Sequence, residues 1–294
     1  MKIENVLFNA SSAGALLTEK QGQKFTDVQF ARISELEKER DTGFNANGNK
    51  VKFEGTKKPE ELAELIRKRD APPELSDTAK TLVRKTWLKY EKGIYSQIKS
   101  KYLDKGILKE EDSISLRTEL DGVVYVKNEE RKNNEFFTGE CDIIKDFEGR
   151  RLIIDTKTSW DAETFIASKP TLDYEVQGQI YMELFNADEF ELSFCLIDTP
   201  EHLVQREKDN AKWKYYSGDM TDAELDALEE MMKPIYEQIE RNMIFSNNPN
   251  ISKEECVKTF KFTRDREMYA KLVEKAKLAR DYYKTIKLNM IINE

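Results

Sequence analysis

The sequence predicts an α/β (α+β) fold in which helices flank a central mixed β-sheet and further helices extend both ends. Helical periodicity dominates up to about residue 120 and returns after residue 221, whereas β-rich runs fill the centre. Two of these runs are joined by the short turn DFEG, which favours antiparallel neighbours and so a mixed sheet. We therefore expect one compact domain with a helical region at 1–104 packing on the core, the core at 105–220 and a helical region at 221–294.

The N-terminal region contains three predicted helices. Apolar side chains at positions 30, 33 and 36 give the segment 27–40 a helical face. A loop rich in Gly and Asn follows at 42–50, and a second helix covers 59–69. After two prolines, Ser76 and Asp77 cap a long predicted helix that ends near Leu103.

The centre of the chain is predicted to follow the order β-β-β-α-β. The strands are GVVYVKN after Asp121, FFTGECDII, RRLIIDTKT, and a last one at 190–198. The helix between the third and fourth strands is DYEVQGQIYMELFNA. From Thr221 onward the pattern is helical again, with a loop at Asn247–Asn250.

Composition excludes several classes of protein. Charged residues make up 35% of the chain, and no apolar run is long enough to span a bilayer. The first residues lack the pattern of a signal peptide, so we expect a protein of the cytoplasm without a membrane partner. The net charge of −8 does not favour nucleic-acid binding by the surface as a whole. Binding would depend on local basic patches, because the field at the contact decides it.

Cysteine and histidine are too few for most metal and triad sites. Cys141, Cys195 and Cys256 are far apart, which argues against disulfides, a zinc knuckle and an iron–sulfur cluster and favours small buried side chains. With His202 as the single histidine, the sequence argues against a Ser–His–Asp triad and against a histidine-rich zinc site. A hydrolase with this composition must use carboxylates and lysines.

The predicted hairpin collects such groups. Asp142 lies in its first strand, and Asp155 and Lys157 end its second strand. Residues two apart on a strand share a face, so Asp155 and Lys157 are neighbours while Thr156 faces away. The turn brings Asp142 beside them, and two carboxylates form an oxygen site suited to Mg²⁺ or Mn²⁺. A lysine beside such a site can orient water for phosphodiester hydrolysis.

A structural ion pair is the alternative interpretation of this acid-x-lysine pattern. The same pattern occurs at Glu130-Arg131-Lys132. Only Asp155-x-Lys157 follows a buried-looking strand and has an upstream Gly-x-x-Asp partner.

Three motifs together resemble one nuclease family. Gly139-x-x-Asp142, Asp155-x-Lys157 and Gln177-x-x-x-Tyr181 are similar to the motifs of the RecB, YqaJ and lambda-exonuclease branch of the PD-(D/E)xK nucleases, over roughly residues 105–200. The resemblance implies a restriction-endonuclease-like core and a deoxyribonuclease that uses Mg²⁺, with Mn²⁺ as a substitute and no iron–sulfur cluster. Asp155 stands where glutamate is commoner in the family.

The resemblance also assigns roles to single residues. It implies metal binding by Asp142, Asp155 and the Thr156 carbonyl. It also implies metal binding by Glu110, from the motif Gly106-x-x-x-Glu110, and Glu111 and Gln97 are the alternatives for that position. The resemblance further implies that Lys157, Asp142 and Asp155 are catalytic. Gln177 and Tyr181 would support this catalytic group and also contact DNA. Ala10-Ser11-Ser12 is similar to a motif that holds a DNA end phosphate, which makes Ser11 and Ser12 DNA-binding residues. The arginine that precedes this motif in lambda-type enzymes is missing here.

Three functions remain open from the sequence. The resemblance favours an exonuclease on linear double-stranded DNA in phage recombination or replication, in homo-oligomeric form and beside a single-strand annealing protein. The same site would also serve an endonuclease or a structure-specific nuclease. A non-catalytic DNA-binding or assembly protein is the third interpretation.

Overall fold

A computed structural model describes residues 6–19, 25–95 and 100–292 of the chain, without the side chains of 287–292. The strands are β1 (Phe8–Asn9), β2 (Lys132–Asn133), β3 (Phe137–Gly139), β4 (Ile143–Phe147), β5 (Arg150–Thr158), β6 (Glu189–Cys195) and β7 (Val257–Thr263). The helices are α1 (Gly14–Leu17), α2 (Asp27–Thr42), α3 (Lys58–Arg69), α4 (Asp77–Lys92), α5 (Lys101–Leu108), α6 (Glu110–Asp121), α7 (Ala162–Ala167), α8 (Leu172–Leu184), α9 (Glu201–Trp213), α10 (Asp222–Met243) and α11 (Arg266–Ile292).

The strands form two mixed sheets, which confirms the predicted α/β class. The smaller sheet has the order β1–β3–β2, and the larger has the order β4–β5–β6–β7. In the larger sheet β5 and β6 are parallel, while β4 and β7 run antiparallel to their neighbours. No helix in the described ranges has both the length and the apolar character to cross a bilayer.

The chain separates into two compact units. One consists of the chain up to Gly14 together with Leu88–Val273, and it contains both sheets. The other consists of Ala15–Trp87 and the chain from Glu274 onward. These divisions do not coincide with the region boundaries that we predicted at 104 and 220.

The predicted hairpin is present as β4 and β5. Their pairing runs from Phe147 opposite Arg150 to Ile143 opposite Ile154. The two turn residues, Glu148 and Gly149, both have left-handed φ angles of 48° and 77°. Positive φ at both central positions is the geometry of a type I′ turn, whose twist matches that of the paired strands.

Helices cover both faces of the larger sheet. On one face Ile114 of α6 joins the buried side chains of Ile143, Leu152 and Ile154. On the other face α8 lies so close to β6 that a Cβ at Gly178 would be 2.2 Å from the ring of Phe190. Only glycine permits this approach, so α8 is fixed against the strands that carry the candidate site.

Two predicted strands differ in the structure. GVVYVKN forms no strand: only its last residue, Asn128, donates a backbone hydrogen bond to the Asp142 carbonyl among the contacts described, at 2.7 Å, and Val124 and Val126 are 81% and 77% exposed. β-Branched residues favour a strand only where a neighbouring strand pairs with them, and this segment has none. FFTGECDII divides into β3 and β4, which belong to different sheets.

The helical predictions need two corrections. The long helix that starts at Asp77 ends at Lys92, because Gly93 adopts a left-handed φ of 64°. Ser76 caps it as predicted, by accepting a hydrogen bond from the backbone N–H of Ala79. The C-terminal region is not wholly helical, since β7 pairs with β6 and completes the larger sheet.

The second unit has its own apolar cluster. Ile33 and Leu36 of α2 pack with Phe53 and Leu62. Helix α2 begins with a capping box at Thr26 and ends at a left-handed glycine, so its limits are close to those predicted.

Candidate functional site

Asp155 and Lys157 lie together at the end of β5. The Asp155 carboxylate is 1% exposed, and the Lys157 ammonium lies 2.5 Å from its Oδ2 atom. Oδ2 itself is buried and has no hydrogen bond of acceptable geometry among the described residues. The two residues share one strand face, as their spacing predicts, and Oδ2 is available to a cation.

Asp142 comes directly before β4, and its carboxylate contacts Thr156. Oδ2 of Asp142 accepts hydrogen bonds from the Thr156 backbone N–H at 2.6 Å and from its hydroxyl at 2.8 Å. Thr156 still faces away from Asp155 and Lys157, as predicted, because β5 is regular and Thr158, two residues on, contacts Ser113 of α6 on the opposite face of the sheet. Asp142 lies beyond Ile143, the last paired residue of β4, so its side chain is free to turn toward β5.

Burial and neighbouring charges act against each other in the pair of Asp155 and Lys157. Burial raises the pKa of Asp155, and the carboxylates of Asp142 and Glu110 raise it further, against the effect of Lys157. Burial also disfavours the charged form of Lys157, but the carboxylates of Asp155 and Asp142 outweigh this and raise its pKa. Lys157 therefore stays an ammonium, and additional positive charge at the site would favour ionised Asp155.

Glu110, the first residue of α6, lies near enough for its carboxylate to raise the pKa of Asp155. Its carboxylate forms an ion pair with Lys127 at 3.2 Å. The hydrogen bond with Glu110 raises the pKa of Lys127. Sequence reasoning missed Lys127, because it lies in the segment that we predicted as a strand. Of the rivals, Glu111 is exposed and Gln97 lies outside the described residues.

Gln177 and Tyr181 meet on α8, as their spacing of four predicts. The Gln177 amide donates a hydrogen bond to the Tyr181 hydroxyl at 2.8 Å, and both side chains are buried. Burial raises the pKa of Tyr181 above its usual range, so the hydroxyl stays protonated. A Cβ at Gly139 would be 2.7 Å from the Tyr181 ring, so the motif glycine makes room for the motif tyrosine.

Ser11 and Ser12 lie in a short 3-10 turn beside α8. Ser11 is exposed, and the Ser12 hydroxyl donates to the carbonyl of Asn9 at 3.3 Å. The turn is anchored at both ends, because Ala10 lies against Gly139 and Gly14 lies against Asp173. Among the described contacts neither serine bonds to Gln177 or Tyr181.

Tyr174, in the first turn of α8, is a further residue that sequence reasoning missed. The Lys157 ammonium lies above its ring, 5.6 Å from the centroid. Its position three residues before Gln177 was the available signal, since residues three apart share a helix face.

The donor set fits a hard cation only in part. Asp142 and Asp155 offer carboxylate oxygens, the ligands that Mg²⁺ and Mn²⁺ prefer, and the buried Oδ2 of Asp155 contacts the Lys157 ammonium without a hydrogen bond of acceptable geometry among the described residues. The described residues contain no group of three His, Cys, Asp or Glu side chains placed to hold a metal. Glu110, Asp142 and Asp155 are therefore not gathered as the predicted ligand set, because Glu110 is paired with Lys127 and Asp142 with Thr156.

Comparison with solved structures gives one strong likeness. A phage-related exonuclease from Haemophilus somnus 129PT superposes with a TM-score of 0.58 and 25% identity, over 97% of this chain and 96% of that one. An alkaline exonuclease from Laribacter hongkongensis has a TM-score of 0.47 and 10% identity, over 74% of this chain and 88% of that one. Neither the protein-family models nor the curated proteins give a match. The chain shares its fold with the first of these exonucleases over nearly its whole length.

Proposed function

We propose that this chain is a metal-dependent DNA nuclease that hydrolyses phosphodiester bonds as an exonuclease on linear double-stranded DNA. The observation that carries the proposal is the β4–β5 hairpin, which places Asp142, Asp155 and Lys157 at one end of β5. The shared fold with a phage-related exonuclease at 25% identity supports it. The proposal interprets this hairpin as the PD-(D/E)xK arrangement that the motifs resemble.

In the proposed mechanism Asp142, Asp155 and the Thr156 carbonyl would hold Mg²⁺ or Mn²⁺. When bound, the divalent cation polarises the scissile phosphate and lowers the pKa of a water molecule. The Lys157 ammonium orients the attacking water and stabilises negative charge as it develops on the phosphate. Glu110 would complete a second metal position once its carboxylate left the ion pair with Lys127.

The remaining residues orient the substrate. Gln177 and Tyr181 support the site from α8 and contact the phosphate backbone, while Ser11 and Ser12 contact a DNA end. Phosphate contacts carry no sequence information, so we expect little base preference. By the same resemblance the enzyme acts in phage recombination or replication as a homo-oligomer beside a single-strand annealing protein.

The test uses end-labelled linear duplex and covalently closed circular DNA, with Mg²⁺, with Mn²⁺ and with EDTA. We compare wild type with Asp155→Asn and Lys157→Ala. Asp146→Asn is the matched control, because Asp146 lies on the same hairpin and is ion-paired with Arg151 at the surface. Metal-dependent loss of linear DNA alone, absent in both site variants and present in the control, supports the proposal.

Other outcomes decide between the alternatives. Cleavage of closed circles by the same residues would make the enzyme an endonuclease. Cleavage that persists in Lys157→Ala would refute the assigned site. No metal-dependent cleavage of either substrate would favour a DNA-binding or assembly protein.

A further inference from the structure

The ammonium of Lys157 has two neighbours of different chemistry. It lies 2.5 Å from Oδ2 of Asp155 and 5.6 Å from the centre of the Tyr174 ring. An aromatic face attracts a cation because its π electrons carry partial negative charge. We propose that Tyr174 is the positioning residue that holds the Lys157 ammonium in place for the reaction. This inference rests on the proposed function and names the group that sets the position of its lysine.

The Tyr174 ring is fixed by the sheet. It makes an edge-to-face contact with Phe194 at 5.8 Å, and Phe194 makes another with Phe260 at 6.0 Å. Phe194 of β6 is directly in register with Lys157 of β5. Phe194 of β6, the strand beside β5, therefore anchors the ring, and Phe260 of β7 supports Phe194 from the next strand.

Asp155 alone cannot hold Lys157 in this way. Its Oδ2 atom, which the ammonium contacts, is also the buried oxygen that we assign to a divalent cation. A lysine side chain has four rotatable bonds, and it loses its position when its anionic partner is shared. The Tyr174 face attracts the ammonium without offering an oxygen to a metal, because the contact is made by the ring.

A purely structural role for Tyr174 predicts different behaviour. Packing against Phe194 needs apolar bulk, which leucine supplies, whereas holding an ammonium needs an aromatic face. Tyr174→Phe keeps both properties and removes the hydroxyl. Tyr174→Leu keeps the bulk and removes the face, so the two variants separate the roles.

The chain offers a matched control. Lys208 lies above the ring of Tyr236, also 5.6 Å from its centroid, on helices α9 and α10, which carry no residue of the site. Tyr236→Leu removes an equivalent contact elsewhere and should leave cleavage unchanged.

The experiment measures steady-state cleavage of linear duplex and the NMR resonances of ¹³C-labelled lysine, with Lys157 assigned by its loss in Lys157→Arg. We expect Tyr174→Leu to lower kcat about tenfold and to leave KM for DNA within about twofold of wild type. We expect Tyr174→Phe to keep both kcat and KM within about twofold of wild type. The ε-methylene signal of Lys157 should be shifted upfield by the ring in wild type and in Tyr174→Phe, and not in Tyr174→Leu.

Two results would overturn the inference: a normal kcat in Tyr174→Leu, or a loss in Tyr174→Phe equal to that in Tyr174→Leu. If the wild type cuts no DNA, the proposed nuclease function fails. The resonance then decides the inference separately, because an unshifted Lys157 signal in wild type shows that Tyr174 does not hold the ammonium. Tyr236→Leu should change the Lys208 signal, which confirms that the measurement detects such contacts.

Discussion

Replacing Lys105 by methionine should change the dependence of stability on pH. Lys105 of α5 is fully buried, and its ammonium donates a hydrogen bond to the Trp160 carbonyl at 2.8 Å. Burial lowers its pKa from 10.5 to about 7, although the carboxylates of Asp161 and Asp198 oppose the shift. The unfolded chain therefore binds a proton between pH 7 and 10.5 that the folded chain does not, and wild-type stability rises with pH across this window.

The magnitude follows from the shift in pKa. Each pKa unit corresponds to about 1.4 kcal/mol, so the charged lysine costs about 5 kcal/mol in the folded state below pH 7. Methionine has similar length and no charge, and losing the hydrogen bond to Trp160 costs about 1 kcal/mol. Lys105→Met should therefore be about 4 kcal/mol more stable than wild type at pH 6 and about 1 kcal/mol less stable near pH 10.5.

Urea unfolding followed by circular dichroism at several pH values from 6 to 10.5 measures this difference. Lys50→Met is the control, since Lys50 is exposed and its replacement should leave the pH dependence of wild type unchanged. A constant difference in stability between Lys105→Met and wild type across the pH range would refute the reasoning.

Two further predictions concern the site. Gly139→Ala should lower the melting temperature by several degrees, because its Cβ would be 2.7 Å from the Tyr181 ring and such overpacking costs about 1–3 kcal/mol. Gly106→Ala is the control, since its Cβ would meet nothing within 4 Å and should not lower the melting temperature. Equal melting temperatures of the two variants by calorimetry would contradict this prediction. Thr156→Val should slow cleavage of end-labelled duplex about tenfold, because it removes one hydrogen bond to the Asp142 carboxylate, while Thr156→Ser keeps the rate. A normal rate in Thr156→Val would show that the backbone N–H of residue 156 is sufficient.

The hairpin was predictable because its signals are local. The turn DFEG, the apolar run before Asp155 and the alternation of side chains lie within about 20 residues and together fix which groups meet. The Gln177 and Tyr181 contact was predictable for the same reason, since four residues on a helix bring side chains together without help from the rest of the chain.

The missed features depend on distant partners. β7 pairs with a strand more than 60 residues earlier in the chain. The segment VKTFKFT therefore could not be predicted as a strand of the larger sheet from its own sequence. GVVYVKN has strand-forming side chains but no neighbouring strand. Lys127 reaches Glu110 from a separate segment, and no spacing could predict that contact. The spacing of Tyr174 from Gln177 indicated a shared helix face, but not the contact of Tyr174 with Lys157 on β5.

The length of the turn between β4 and β5 decides which chemical groups face each other. With two residues in the turn, the pairing that ends with Ile143 opposite Ile154 places Asp142 at the level of Asp155. One inserted residue would move each side chain of β5 to the opposite face relative to β4, because side chains alternate along a strand. The acids would then be separated by the sheet although every residue of the motifs was intact. Insertions at residues 148–149 should therefore inactivate this site more effectively than many substitutions near it, and motif content alone does not identify an active relative.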